Sequence, residues 1–162
     1  MIQPLHLIDR FTELAPPDRL RGVKAPSFGE QLFEDHFAGF PLMPGALMVE
    51  AMVQGAQWLA RIDGGFPVAD FPVVRVERAV FSGYVRPGSV MEVQVDRDAP
   101  LAYRGVVKVE GRKMASARLE LSRRDLDGQR SSVRRALERI DEAFDLLGGP
   151  GLLAAREEGG RT

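Results

Sequence analysis

Cysteine is absent from this 162-residue chain, which excludes disulfides, thiolate metal sites and a cysteine nucleophile. Histidine is scarce, since His6 and His36 are the only two, and two are too few for a histidine-rich metal site. His6 has no partner pattern, so we expect it to be structural or exposed. A charge excess is also missing: 22 basic residues stand against 23 acidic ones, and the formal net charge is -1. This balance argues against nucleic-acid binding, which depends on clustered Lys and Arg.

A membrane-spanning run is missing too. A span needs about 20 predominantly apolar residues, whereas the most apolar stretch, residues 46–62, is shorter and carries Glu50, Gln54 and Arg61. We predict no membrane span and expect this stretch to be a helix buried in a protein core. The first residues, MIQPLHLIDR, lack the basic start and apolar run of a signal peptide, so we expect a cytoplasmic protein.

Hydrophobic periodicity predicts a helix followed by strands. The helix runs from about Gly45 to Ile62, with Pro44 in its first turn and glycines after it. The period then changes to two and predicts strands at residues 73–81, 90–96, 101–109 and 114–121. Short turns between these strands favour an antiparallel meander, whereas Leu20–Ala25 fits either a strand or a helix. The expected fold class is α+β, with an antiparallel sheet wrapped over one long central helix.

The C-terminal region is predicted to be separate from this domain. Residues 124–130 are polar, and apolar residues then recur at helical spacing as far as Gly148-Gly149-Pro150, namely Val133, Leu137, Ile140, Phe144 and Leu147. We predict a domain at 1–123, a linker and amphipathic helix at 124–149, and a disordered tail at 150–162. The apolar stripe is expected to pack on its own domain, on a second subunit or on a partner.

Two titratable residues lie close to the predicted helix. His36 belongs to DHFAGFPLMPG, and Glu50 follows 14 residues later. A loop histidine is often satisfied by a backbone carbonyl, and a helix carboxylate often reaches solvent or an arginine. Glu50, however, has apolar neighbours, and a carboxyl group that burial keeps protonated near pH 7 can act as a general acid. Gln54, one turn later on the same face, can hydrogen-bond it.

Gly45 is a candidate carbonyl-binding group. The backbone N–H at the first helical position has no intrahelical acceptor, and the helix dipole adds partial positive charge there. A base, an acid and a carbonyl-polarising N–H together suit proton abstraction beside a carbonyl, followed by loss of a leaving group.

The segment DHFAGFPLMPGALMVEAMVQ resembles the signature of the β-hydroxyacyl-acyl carrier protein dehydratases, which have the hot-dog fold. The resemblance extends from LIDR to VRPGSVMEVQV and ends near Arg123. It implies reversible dehydration of a (3R)-3-hydroxyacyl thioester to a trans-2-enoyl thioester, with His36 as the base and Glu50 of the partner subunit as the acid. It also implies that the Gly45 amide polarises the thioester carbonyl and that Gln54 supports the site.

The same resemblance implies the partners. The substrate is carried on the phosphopantetheine arm of acyl carrier protein or of coenzyme A, no other cofactor or metal is used, and the assembly is a homodimer or a trimer of dimers. An acidic carrier protein or a coenzyme A phosphate would be attracted by basic side chains, although arginines on strands are commonly ordinary solvent-facing residues. The candidates are Arg75, Arg78, Arg86, Arg104 and Lys108.

Three positions depart from the family pattern. Asp35 replaces a glycine, Ala38 replaces a proline, and Tyr84 stands where a proline is common. Two other functions remain open: a hot-dog thioesterase, in which an acidic helix residue activates water, and a non-catalytic acyl-binding or partner subunit. The spacing of His36 and Glu50 favours the dehydratase, because neither alternative needs both residues.

Overall fold

The structure, a computed structural model, describes residues 5–33, 39–64, 69–126 and 131–159. The described elements are β1 (Arg10–Ala15), β2 (Arg19–Lys24), α1 (Gly45–Asp63), β3 (Ala69–Asp70), β4 (Val73–Phe81), β5 (Met91–Ala99), β6 (Ala102–Val109), β7 (Arg112–Leu121), β8 (Arg124–Asp125), α2 (Ser131–Leu146) and α3 (Gly149–Gly159). A 3-10 turn at Gln31–Phe33 lies between β2 and α1. The predicted α+β class, with one long helix and an antiparallel sheet, is confirmed.

Six strands form one antiparallel sheet in the order β1-β2-β5-β6-β7-β4, while β3 and β8 pair separately. The predicted meander is correct only for β5, β6 and β7. β4 does not pair with β5, because β2 occupies that edge of β5, and β4 pairs with β7 at the far side of the sheet instead. The ambiguous segment at Leu20–Ala25 belongs to strand β2.

The inner face of the sheet is built by alternation along its strands. Met91, Val93 and Val95 of β5 are fully buried, and the residues between them are only partly buried, as a period of two predicts. α1 packs directly on this face. A Cβ added at Gly105 of β6 would lie 2.6 Å from the Met52 Cβ of α1, so the glycine permits a contact that no side chain would allow.

The opposite side of α1 carries a polar stripe. Helical spacing brings Glu50, Gln54, Gln57 and Arg61 onto one face, and all four are partly buried. This face is covered by backbone that comes from other parts of the chain. For example, Gln57 Nε2 donates a hydrogen bond of 3.0 Å to the Phe71 carbonyl.

The C-terminal region differs in part from its prediction. α2 confirms the amphipathic helix, and Leu147 is buried against the domain, although the side chains of residues 131–137 lie outside the described part. The predicted disordered tail at 150–162 is wrong for residues 150–159, which belong to α3 (Gly149–Gly159), and residues 160–162 are not described. Gly148 has a φ of +80°, which lets the chain turn from α2 into α3. Leu152 and Leu153 then give α3 an apolar surface that packs on the core.

The described part of the chain contains no helix that is long and apolar enough to cross a membrane.

Candidate active site

Glu50 and Gln54 lie one turn apart on α1, as predicted. Gln54 Nε2 donates a hydrogen bond of 3.0 Å to Glu50 Oε1. We expected Glu50 to have apolar surroundings, but within one chain its side chain is only partly buried. The reason is the helical period, which turns Glu50 onto the polar stripe and away from the sheet.

Gln54 also holds the N-terminal segment against α1. Its Oε1 accepts a hydrogen bond of 3.0 Å from the Leu7 N–H, and its Nε2 donates one of 2.9 Å to the Leu5 carbonyl. A single orientation of the Gln54 amide makes these two hydrogen bonds and the one to Glu50 at the same time. The amide therefore presents an N–H to Glu50, and Glu50 Oε2 receives no hydrogen bond from the described residues.

Gly45 is the first residue of α1. Pro44 precedes it with no side-chain capping bond, and the Gly45 N–H finds no acceptor among the residues described. A Cβ at this position would lie 2.9 Å from Cε1 of Phe81. Glycine therefore leaves room for the Phe81 ring, which comes from the end of β4 and is half-exposed.

His36 lies outside the described residues, as do Asp35 and Ala38. The flanks of their segment are described, and both are anchored in the core. Phe33 is buried on the upstream side, and Leu42 and Met43 are buried on the downstream side. The Met43 N–H also donates a hydrogen bond of 2.9 Å to the Val85 carbonyl.

A buried lysine, Lys24, is not among the predicted site residues and anchors the upstream flank. The Lys24 residue is only 8% exposed, and its Nζ lies 3.1 Å from both Asp9 Oδ1 and Glu30 Oε2. Glu30 Oε1 accepts a 2.7 Å bond from the Ser27 N–H. Burial acts to lower the pKa of Lys24, but the two carboxylates outweigh it and the pKa is raised. Alternation along β2 could have indicated that Lys24 is buried, because Lys24 lies four residues after Leu20 and therefore faces the same, inner side of the sheet.

The far end of the polar stripe carries a separate ion-pair network. Arg61 Nη2 lies 3.3 Å from Asp70 Oδ1, and Arg124 Nη2 lies 2.7 Å from Asp70 Oδ2. Burial lowers the pKa of Arg61, and Asp70 opposes that effect. This network fastens β3 and β8 to the end of α1, nearly the whole helix length away from Gly45, so its role is structural.

The five basic candidates separate into two groups. Arg75 pairs with Glu77 and Glu120, and Arg104 pairs with Asp98. The others have no ion pair within the described ranges; they are Arg78, Arg86 and Lys108. The same ranges contain no group of three or more His, Asp or Glu residues that would suit a metal ion.

Comparison with known proteins identifies the family. A family model described as FabA-like domain matches residues 2–118. The 3-hydroxyacyl-[acyl-carrier-protein] dehydratase FabZ of Syntrophotalea carbinolica is 33% identical over 122 residues, which cover 72% of this chain and 83% of the relative. The protein of the same name from Aliivibrio fischeri is 34% identical over 128 residues, covering 75% and 85%.

Solved structures support the fold. The dehydratase heterocomplex ApeI:P from Xenorhabdus doucetiae superimposes with a TM-score of 0.58 at 15% identity, covering 74% of this chain and 98% of the other. The fluoroacetyl-CoA thioesterase FlK gives 0.58 at 16% identity, covering 75% and 96%. These similarities show the hot-dog fold alone, because dehydratases and thioesterases both have it. The sequence matches go further, and they show that the chain belongs to the FabA-like domain family.

Proposed function

We propose that this protein catalyses the reversible dehydration of (3R)-3-hydroxyacyl thioesters to trans-2-enoyl thioesters. The observation that carries the proposal is the Glu50–Gln54 hydrogen bond near the start of α1, in a chain whose 33–34% identical relatives are named as dehydratases of this class. The carboxyl group is held in one orientation, close in sequence to the uncapped helix N-terminus that would bind the thioester carbonyl.

The proposed mechanism needs a base, an acid and a carbonyl-binding group. His36 removes a proton from C2, and the Gly45 N–H stabilises the charge that develops on the thioester oxygen. Glu50 of the second subunit, in its protonated form, donates a proton to the 3-hydroxyl group, which leaves as water. Because Gln54 donates to Oε1, Oε2 is the oxygen that carries this proton. The proton on His36 is then released to solvent, and Glu50 takes one up, before the next turnover.

A homodimer is proposed because β4 lacks a covering element. All nine residues of β4 are exposed in the single chain. Val76 pairs with the buried Leu119, and Phe81 pairs with the buried Ala115, so both side chains lie on the core face of the sheet. They are nevertheless 42% and 52% exposed. A long apolar edge strand is a template for pairing, and a second copy of the chain would cover this face beside Gly45. Dimers of this kind could assemble further into a trimer of dimers.

The substrate carrier is proposed to be acyl carrier protein or coenzyme A. Arg86 follows β4 and stacks over Phe40 at 4.9 Å. Lys108 and Lys113 face each other at the end of β6 and β7, near the Phe81 end of β4. None of the three has an ion pair in the described part of the chain, so they can attract an acidic protein or a phosphate. A carrier of this kind also favours a cytoplasmic location, which stays a prediction.

Two variants test the roles of the proposed acid and base. His36→Ala and Glu50→Gln should each lower the rate of enoyl-thioester hydration by about 10²–10⁴-fold, the usual contribution of a general acid or base. Glu120→Gln, which changes an exposed carboxylate on β7, is the matched control and should keep its rate. Disappearance of enoyl absorbance without release of thiol identifies the hydration, whereas thiol release would identify a thioesterase. Near-normal rates in either variant would show that the roles are misassigned.

Mixing the two inactive variants tests the shared site. After equal amounts are unfolded and refolded together, half of the dimers are mixed and each of these has one site built from two intact halves, so the mixture should recover about a quarter of the normal activity. Absence of recovery, with mixed dimers shown by mass, would place both groups of a site in the same chain.

A further inference from the structure

One edge strand of the six-stranded sheet is exposed, and the other is covered by the C-terminal segment. β4 forms one edge and is bare along its length. β1 forms the other edge, and the segment Phe144–Gly159 lies along it. We refer to this segment as the C-terminal cap.

The cap makes a backbone hydrogen bond to the edge strand. The Phe11 N–H of β1 donates to the Leu147 carbonyl at 2.9 Å, so an outward-facing donor of the edge is already used. Leu147 is 8% exposed, whereas its neighbour Leu146 is 84% exposed. At the junction between α2 and α3, Leu147 therefore packs against the domain and Leu146 does not.

Side chains fix the cap at both ends of β1. The Phe144 ring stacks on Trp58 of α1 with centroids 5.6 Å apart and lies 6.2 Å from the Phe11 ring. At the other end, Arg156 Nη1 donates to the Pro16 carbonyl at 2.8 Å. The cap thus spans β1 from its start to the turn that follows it.

We propose that the C-terminal cap closes the β1 edge to strand addition, so that copies of this chain pair through β4 alone. A helix satisfies its backbone groups internally and offers no row of donors and acceptors to another strand. A sheet with two open edges could add a copy at each edge and extend without closure, whereas one open edge ends at a two-fold dimer. This inference goes beyond the proposed chemistry and uses only the proposed β4 pairing.

Two neighbouring substitutions in the full chain test the cap. Leu147→Asp places a carboxylate at the buried docking position, and Leu146→Asp makes the same change at the exposed one. Light scattering after size exclusion, over a hundredfold range of concentration, should give one closed assembly, a dimer or a trimer of dimers, for both the wild type and Leu146→Asp. Leu147→Asp should instead form species that exceed this closed assembly and keep growing as its concentration rises. A Leu147→Asp protein that keeps the size of the wild-type assembly, with the Phe11 amide unprotected in hydrogen exchange, would overturn the proposal.

A second pair of variants tests the β4 edge and the β1 edge independently. Val76→Lys charges the β4 edge, and we expect this variant to be monomeric at concentrations at which the wild type is assembled. Val76→Lys combined with Leu147→Asp should associate again, now through β1. A monomeric double variant with an unprotected Phe11 amide would refute closure of β1 by the cap, whereas a dimeric Val76→Lys single variant would refute only the β4 pairing. Phe144→Ser, which removes the stacked ring without adding charge, replaces Leu147→Asp if the latter does not fold.

Discussion

Single buried polar groups make the stability of this protein depend on pH. Tyr103 is 3% exposed, and its burial raises the pKa of the phenol to about 12. The folded chain therefore holds this proton more tightly than the unfolded chain does. The resulting stabilisation is complete below about pH 10, the ordinary pKa of tyrosine, and is lost as the pH rises towards 12.

We expect Tyr103→Phe to flatten the alkaline loss of stability. The wild type should lose up to about 3 kcal/mol of unfolding free energy from this group between pH 9 and 12 (about 1.4 kcal/mol per pKa unit), and the variant should not. Denaturant unfolding at several pH values measures the difference. Tyr84→Phe leaves Tyr103 as the one tyrosine of the chain, so absorbance titration of that variant reports its pKa. An ordinary value there would contradict the prediction.

Lys24 is expected to contribute to stability because its side chain, which pairs with Asp9 and Glu30, is shielded from solvent. Lys24→Met leaves Asp9 and Glu30 without their shared cation and should cost about 1–3 kcal/mol, less than a fully buried pair because both carboxylates are partly solvated. Arg19→Met is the matched control. Arg19 lies on the same strand and also pairs with two carboxylates, but its side chain is 52% exposed. Urea unfolding should show a clear loss for the first variant and little change for the second; equal effects would contradict the role of burial.

Side-chain contacts could be predicted from the sequence only where they depend on local spacing. The Gln54–Glu50 bond follows from a separation of four residues on a helix. The Lys24 pairs could not be predicted, because Asp9 and Glu30 lie 15 and six residues away and meet Lys24 only when the sheet folds. Gly45 was identified by its position in α1, but its contact with Phe81 depends on where β4 ends, 36 residues later.

The contact between α1 and the sheet depends on glycines. Gly105→Ala would place a methyl group 2.6 Å from the Met52 Cβ, which is backbone-proximal and cannot move aside. Overpacking of this kind costs about 1–3 kcal/mol, and the melting temperature should fall accordingly. Gly29→Ala is the control, since a Cβ there meets nothing within 4 Å. A Gly105→Ala protein as stable as that control would show that α1 can move away from the sheet.

Periodicity located the long elements and failed for the short ones. The predicted strands at 73–81, 90–96, 101–109 and 114–121 correspond to β4–β7 within a few residues. Each of these strands is long enough for its apolar residues to show a period of two. β3 and β8 have two residues each, too few to show a period. α3 was missed because Gly148-Gly149-Pro150 resembles a helix end, although Pro150 also fits the first turn of a new helix.

The pairing order of the strands needed information beyond any local pattern. Short turns identify neighbours in sequence, and β5–β7 followed that rule. β4 crosses to β7 because β2, from the N-terminal part of the chain, takes the place beside β5. This exchange leaves β4 at an edge with its core face uncovered, which the alternation of its side chains alone could not indicate.

At the scale of the whole molecule, activity should depend on the dimer. Val76→Lys puts a charge on the uncovered core face of β4 and should weaken dimerisation by at least 10²-fold, since a buried unpaired charge opposes association. Activity per chain should then fall on dilution and recover at high concentration, because each proposed site uses Glu50 of one subunit and His36 of the other. Val90→Lys, at a valine outside β4 that is 54% exposed against 42% for Val76, is the control and should show neither effect. Sedimentation and initial rates, measured over the same dilution series, should give matching midpoints for Val76→Lys. Full activity in a protein that sedimentation shows to be monomeric would mean that one chain contains a complete site.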